Sequence, residues 1–167
     1  MRVFYDSNVV LDLLLNRQQF VADSSAALKL SETKVVKGYI SVVSITDLFY
    51  LIRQNLKDVN QSIQKIQTLM EIVSIAKADK KVAKAALNSG WHDFEDAVQY
   101  YVARKAHCKC IVTRNKKDYK QSTIPVYTPT EFLKLFESEK LLHLFFSYST
   151  TSVILTPKLS SITKISP

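Results

Sequence analysis

The stretch formed by residues 3–8 restricts the fold of this chain more than any other feature. Three residues that favour strands are followed by Asp6, and apolar residues then recur at helical spacing over residues 9–14. This pattern predicts a buried strand that runs directly into a helix. In an open α/β sheet, ligands bind beyond the carboxyl ends of the strands, so Asp6 is a candidate site residue.

The same succession of strand, acid and helix recurs along the chain. Strands are predicted over residues 37–43, 72–75, 110–113 and 125–127. Helices are predicted over residues 20–30, 59–70 and 79–87, after Ser44, from the stretch 91–97, and from a capping box at residues 128–131. Strands separated by helical patterns favour a parallel sheet with right-handed crossovers.

Length and composition favour one domain. The chain has 167 residues, of which 47% are hydrophobic, and we expect residues 1–137 to form that domain. Residues 138–167 are expected to be a tail of different character, because no acid occurs from Lys140 onward. The tail is compatible with an added strand or arm, an oligomer contact or partial disorder.

Several classes of protein are disfavoured by what the sequence lacks. No apolar run is long enough to span a bilayer, and Asp6 lies where a secretory signal would have its apolar centre, so we expect a cytoplasmic protein. Only two glycines are present, which argues against the glycine loops of dinucleotide-binding and P-loop folds. The three histidines are too dispersed to form a metal site with the two cysteines.

The charge of the chain suggests a polyanionic partner. There are 23 Lys and Arg residues against 15 Asp and Glu residues, for a formal net charge of +8. Part of this excess surrounds Asp118, in the form of Arg114, Lys116, Lys117 and Lys120. A lysine-rich loop is also typical of an ordinary solvated surface, and excess charge also promotes solubility.

Each candidate acid has a structural explanation when it is considered alone. Asp6 could cap the first helix, Asp118 could end a turn, and Asp47 could complete a capping box begun by Ser44. Asp93 could likewise be an N-cap, with Asp96 as its third-position partner. These interpretations compete with a functional one, which depends on all the acids together.

Parallel topology would bring these acids to one edge of the sheet. Several carboxylates within a few ångströms repel one another and raise each other's pKa unless a cation is present. Oxygen ligands without histidine or cysteine select Mg²⁺ or Mn²⁺, which can activate water and neutralise charge on a phosphodiester. The pattern therefore favours a divalent-cation site for phosphodiester chemistry.

With these residues in view, the sequence resembles the PIN domain family, and in particular the VapC-type toxin ribonucleases of toxin-antitoxin pairs. The matching segments are residues 4–8 with Asp12 and Leu13, residues 45–48, residues 93–97, and residues 112–115 with Asp118 and Tyr119. The resemblance implies an α/β/α sandwich and an endoribonuclease that depends on Mg²⁺ or Mn²⁺. It also implies a homodimer and an antitoxin partner.

The resemblance assigns roles to individual residues. Asp6, Asp96 and Asp47 would hold the metal, although the family more often has Glu where Asp47 stands. Either Asn115 or Asp118 would fill the fourth acidic position. The expected catalytic residues are Asp6, Asp47, Asp96 and Asp118; the expected supporting residues are Asn8, Asp93, Thr113 and Asn115; and the expected substrate-binding residues are Arg114, Lys116 and Lys117.

Three other functions compete with the ribonuclease. A haloacid-dehalogenase-type phosphatase would need a second Asp where this chain has Asn8, and a downstream Lys motif that is not found. A response-regulator receiver domain would need a phosphorylatable Asp on a central strand and a late Lys, neither of which is evident. A PIN fold that only binds RNA or a protein partner is the non-enzymatic alternative, because the fourth acid is uncertain.

Overall fold

A computed structural model of the chain contains a five-stranded, fully parallel sheet. It describes the backbone of residues 1–144 and the side chains of residues 1–136. In spatial order the strands are β3, β2, β1, β4 and β5, and each neighbouring pair is parallel. The strands are β1 (Arg2–Tyr5), β2 (Lys37–Ser41), β3 (Ser74–Ala76), β4 (Cys110–Val112) and β5 (Val126–Tyr127).

Seven α-helices and one short 3₁₀-helix accompany the sheet in residues 1–144. The 3₁₀-helix spans Lys116–Tyr119. The α-helices are α1 (Ser7–Leu14), α2 (Val21–Glu32), α3 (Ser44–Leu56), α4 (Val59–Ile72), α5 (Lys80–Leu87), α6 (Phe94–Lys105) and α7 (Pro129–Leu144). The predicted α/β/α sandwich with a central parallel sheet is confirmed.

Two hydrophobic cores, one on each face of the sheet, account for the continuous apolar runs in the central strands. In β1, Val3 and Tyr5 pack into a core shared with α1 to α4 and α7, whereas Phe4 packs on the other face with α5 and α6. In β4, Val112 belongs to the first core and Ile111 to the second. A parallel sheet covered on both faces needs apolar side chains at every strand position.

The strand order places a crevice beside β1. The chain builds outward from β1 through β2 to β3, and then crosses to β4 on the other side of β1. At such a reversal the connections after the two central strands diverge to opposite faces and leave an opening at their carboxyl ends. Asp6 follows β1 and Thr113 follows β4, so both lie at this opening.

The element boundaries differ from the predicted ones by a few residues. The second strand ends at Ser41 rather than at position 43, and α4 continues to Ile72, so β3 starts two residues later than predicted. The 3₁₀-helix was not predicted, because a single turn carries too little apolar periodicity to detect. Helix α7 continues past the predicted domain end at 137, and the rest of the predicted tail lies outside the described residues.

None of the helices within residues 1–144 has both the length and the apolar character required to cross a bilayer.

Candidate active site

An acidic pocket of about 320 Å³ opens at the carboxyl ends of β1 and β4. Its lining residues come from α1, α3, the start of α6 and the loop that follows β4. No basic side chain lines the pocket in the described part of the chain. Six carboxylates line it, those of Asp6, Asp47, Asp93, Glu95, Asp96 and Asp118.

Asp6 lies at the base of the pocket and is held by neutral donors. It is only 4% exposed. Its Oδ2 accepts hydrogen bonds from Asn8 Nδ2 and from Thr113 Oγ1, both at 2.6 Å. Burial raises the pKa of Asp6, and the hydrogen bond from Thr113 is the largest effect that opposes the rise. The carboxylate is therefore well oriented, but no basic side chain within residues 1–136 neutralises its charge.

Thr113 and Asn8 form a small network that ties the two central strands together. The Thr113 hydroxyl accepts from Asn8 Nδ2 and from the Asn115 backbone N–H, both at 3.0 Å, while it donates to Asp6. Asn8 Oδ1 accepts from the Arg114 backbone N–H at 3.1 Å. The network fixes the carboxylate of Asp6 relative to the loop that carries Asn115.

Helix α6 brings the next carboxylates to the pocket. Asp93 is its N-cap, and Asp93 Oδ1 accepts from the backbone N–H groups of Glu95 and Asp96 at 2.8 and 3.2 Å. Burial, followed by the charges of Asp6, Asp93 and Asp118, raises the pKa of Asp96 to about 7. Partial burial and the charges of Asp47 and Asp6 raise the pKa of Glu95. Both shifts thus combine burial with the crowding of like charges.

Asp47 and Asp118 occupy the exposed rim of the pocket. Asp47 lies in the first turn of α3, and Asp118 lies in the 3₁₀-helix that follows β4. The side chain of Asn115 also lines the pocket, so both candidates for the fourth position reach the same hollow. Exposed side chains have the rotational freedom to turn toward a ligand.

The structure separates capping from non-capping acids. Asp93 caps α6 with its side chain, as its structural explanation predicted. Asp6 precedes α1 without a side-chain cap, and α3 has Val43 at its N-cap with no side-chain cap, so the capping box of Ser44 and Asp47 does not form. The carboxylates of Asp6 and Asp47 are thus not used to start their helices.

The composition of the pocket fits a hard divalent cation better than it fits any organic group. All the charged groups that line it among the described residues are carboxylates, and the pKa of Asp96 is raised by burial together with the charges of neighbouring acids. Within the described residues, no three side chains of the His, Cys, Asp and Glu types are placed to hold one ion as they stand. An ion would therefore require small rotations of the rim carboxylates.

The three predicted phosphate-binding residues differ in their surroundings. The guanidinium of Arg114 lies over the ring of Phe20, 4.2 Å from its centroid, and pairs with the buried carboxylate of Asp12 at 3.1 Å. Lys116 pairs with Glu131 at the surface at 2.8 Å. Lys117 is exposed. Arg114 therefore lines a separate, neighbouring pocket and does not line the acidic pocket.

Sequence reasoning missed several residues of this region. Glu95 and Gln99 line the pocket one helical turn apart, and Gln99 Nε2 donates to Glu95 Oε1 at 3.2 Å. Their spacing of four residues, next to Asp96 on the same helix, could have identified them. Tyr119, which follows the pocket residue Asp118, and Asp12, a buried residue of α1, were noted only as parts of the resemblance.

Comparisons with known proteins identify the family and the fold. Residues 2–117 match the family model described as PIN domain. The chain is 28% identical over 134 residues to Ribonuclease VapC1 of Aquifex aeolicus (strain VF5). The aligned region covers 78% of this chain and 92% of that protein. A solved structure of VapBC-1 from nontypeable Haemophilus influenzae shares the fold, with a TM-score of 0.58 at 15% identity over 78% of this chain and 99% of that one. The match over more than two thirds of its length shows that this chain belongs to the PIN domain family.

Proposed function

We propose that this chain is an endoribonuclease that depends on Mg²⁺ or Mn²⁺ and serves as the toxin of a type II toxin-antitoxin pair. The observation that carries the proposal is the pocket at the carboxyl edge of the sheet, which six carboxylates and, among the residues that the structure describes, no basic side chain line. The similarity to a ribonuclease of the same family supports RNA as the substrate.

Asp6, Asp96 and Asp47 are the residues that would hold the cation. They come from three different elements and line one pocket, and Asn115 or Asp118 would complete the set. When bound, such an ion supplies Lewis-acid chemistry, which activates water and neutralises charge on the phosphodiester. Its positive charge would also remove the repulsion that raises the pKa of Asp96.

The neighbouring residues would orient these carboxylates and hold the RNA. Asn8 and Thr113 keep one oxygen of Asp6 in place, and Asp93 fixes the start of the helix that carries Asp96. Lys117 and Lys116 lie in the same 3₁₀-helix as Asp118, where they would attract backbone phosphates. The ion pair of Lys116 is exposed on both sides, so exchange of Glu131 for a phosphate would cost little.

An RNA cleavage assay with matched variants tests the proposal. The purified full chain should cleave single-stranded RNA in the presence of Mn²⁺, and addition of EDTA should stop the cleavage. Asp6→Asn and Asp96→Asn should reduce the rate more than about 100-fold, because loss of a ligand should exceed the 10- to 100-fold effect of losing a supporting residue. Cleavage by Asp6→Asn at the normal rate would remove this pocket from the mechanism.

Asp58→Asn is the matched control. Asp58 is the N-cap of α4, does not line the acidic pocket, and can be replaced by Asn as a cap, so its variant should cleave normally. RNA binding that is unaffected by EDTA, without cleavage, would instead favour a PIN fold that only binds RNA. Binding of a protein partner alone would favour the corresponding protein-binding module.

The antitoxin and the homodimer are the partner components of the proposal. A solved relative is named as VapBC-1, which supports an assembly with a second protein. Co-purification of the full chain with the product of an adjacent short reading frame, followed by loss of ribonuclease activity, is the expected result. Light scattering of the chain alone should give twice its monomer mass of 19.0 kDa.

A further inference from the structure

Tyr119, next to the pocket residue Asp118, carries a buried hydroxyl that forms no well-formed hydrogen bond within residues 1–136. It ends the 3₁₀-helix, directly after Asp118, and is only 2% exposed. The ring packs edge-on against Trp91, with centroids 5.7 Å apart. Its hydroxyl finds no hydrogen-bond partner among the described residues. Leaving a buried hydroxyl unpaired destabilises a fold, so its presence requires an explanation.

The surroundings of this hydroxyl are negative. Burial, followed by the charges of Asp6, Asp96 and Glu95, raises the pKa of Tyr119 well above its ordinary value, and a loose approach of its hydroxyl to the Asp96 carboxylate, short of a well-formed hydrogen bond, adds to the rise. The phenol therefore keeps its proton at neutral pH and can act as a donor to a carboxylate. A protonated donor facing a group of anions is suited to orient one of them.

Tyr100 provides an internal comparison in the same aromatic cluster. It is 3% exposed and stacks on Trp91 with centroids 4.9 Å apart. In contrast to Tyr119, its hydroxyl is fully engaged, because it lies 2.9 Å from Thr123 Oγ1 and accepts from the Thr123 backbone N–H at 3.3 Å. Tyr100 does not line the acidic pocket. The two tyrosines are similarly buried, but among the described residues only the hydroxyl of Tyr100 is hydrogen-bonded.

We propose that Tyr119 is a positioning residue, whose hydroxyl donates to the carboxylate of Asp96 and holds it toward a cation in the pocket. The inference rests on the proposed function, because it assumes that Asp96 is a ligand. Residues that hydrogen-bond to metal ligands orient them and tune affinity, and their loss typically weakens binding 10- to 100-fold. With the cation bound, the Tyr119 hydroxyl would be hydrogen-bonded to Asp96. Without the cation, it would lack a well-formed hydrogen bond.

Removal of one oxygen atom tests the proposal. Tyr119→Phe should weaken Mn²⁺ binding to the full chain about 10-fold in a calorimetric titration. Its melting temperature in EDTA should be unchanged or higher, because the variant loses only an unpaired hydroxyl. A purely structural tyrosine would give the opposite result, with lower thermal stability and unchanged Mn²⁺ affinity.

Tyr100→Phe is the matched control. It removes a hydroxyl with two contacts to Thr123, so its melting temperature should fall by about 2–4 °C while Mn²⁺ affinity remains that of the wild type. Equal Mn²⁺ affinity in Tyr119→Phe and the wild type would overturn the positioning role alone. A wild-type chain that binds no Mn²⁺ would overturn both this inference and the proposed function.

Discussion

Two buried carboxylates, six residues apart, show how one helix can serve both structure and function. Asp6 precedes α1 and is 4% exposed, whereas Asp12 lies within α1 and is completely buried. Burial is the largest cause that raises the pKa of each. Their partners differ, because Asp6 accepts only from neutral side chains, while Asp12 has Arg114 at 3.1 Å and Arg17 at 3.7 Å.

The difference lies in where the compensating charge comes from. The fold supplies two guanidinium groups to Asp12, together with a hydrogen bond from the Ser24 hydroxyl at 2.8 Å. For Asp6 it supplies further carboxylates and no basic lining residue in the described part of the chain. A buried acid with internal cations has its charge compensated by the fold, whereas one among other acids is suited to a cation from solution.

Arg114 links the two environments. Its backbone N–H donates to Asn8, which orients Asp6, and its side chain pairs with Asp12 beside Phe20. A residue that the sequence suggests for phosphate binding thus fastens the loop after β4 to α1 and to the residue that precedes α2. This fastening places Asn115 and the 3₁₀-helix beside the pocket.

The largest expected effect is on stability and separates the two acids. Asp12→Asn should lower the free energy of unfolding by about 2–3 kcal/mol, because it removes a buried acceptor from the partly exposed guanidinium groups of Arg17 and Arg114. Asp6→Asn should leave it unchanged or raise it, because removal of a charge relieves repulsion in the pocket. Urea denaturation of both variants in EDTA measures the difference. Equal losses of stability would break the comparison.

An intermediate effect should appear in the dependence of stability on pH. The pKa of Asp96 rises from its ordinary value of 3.8 to about 7 in the folded chain. A raised pKa means that the folded state binds the proton more tightly. The stabilisation is therefore fully present below pH 3.8 and is lost as pH rises through 7.

Asp96→Asn should abolish this dependence. Without metal, we expect the wild type to lose about 2 kcal/mol relative to Asp96→Asn between pH 4 and 8, which is roughly half of the full conversion because water screens a partly exposed group. Urea denaturation at several pH values, in the presence of EDTA, provides the measurement. Parallel pH profiles for the two proteins would mean that burial and the neighbouring charges do not raise the pKa of Asp96.

The smallest expected effect on stability concerns the surface cations. Lys116→Gln should change the free energy of unfolding by less than about 1 kcal/mol, because its pair with Glu131 is exposed. RNA affinity should fall, and the slope of log affinity against log salt should decrease by about 1. Lys117→Gln should lower RNA affinity and the salt dependence in the same way, and it breaks no ion pair seen among the described residues. Unchanged salt dependence in both variants would exclude this flank from RNA binding.

Local pattern was sufficient to predict the architecture. The apolar runs that form β1 and β4, each followed by a helix or turn, required a sheet buried on both faces, and the alternation of strands with helices required it to be parallel. Parallel strands end at one edge, so the convergence of Asp6, Asp47 and Asp96 on one pocket followed from the order of elements. Strands, helices and their order depend on residues that are close in the sequence, so the apolar periodicity predicts them directly.

The tertiary structure alone decided the partner of each side chain. Asp6 meets Thr113, 107 residues away, because β4 is inserted beside β1, and nothing in the spacing of the chain specifies that strand order. The same pairing of β4 with β1 brings Arg114 to Asp12 rather than to the pocket. In the described part of the chain, the hydroxyl of Tyr119 is left without a well-formed hydrogen bond. The sequence determined which residues reach the edge of the sheet. Packing across the sheet decided which carboxylates have internal counter-charges and which do not.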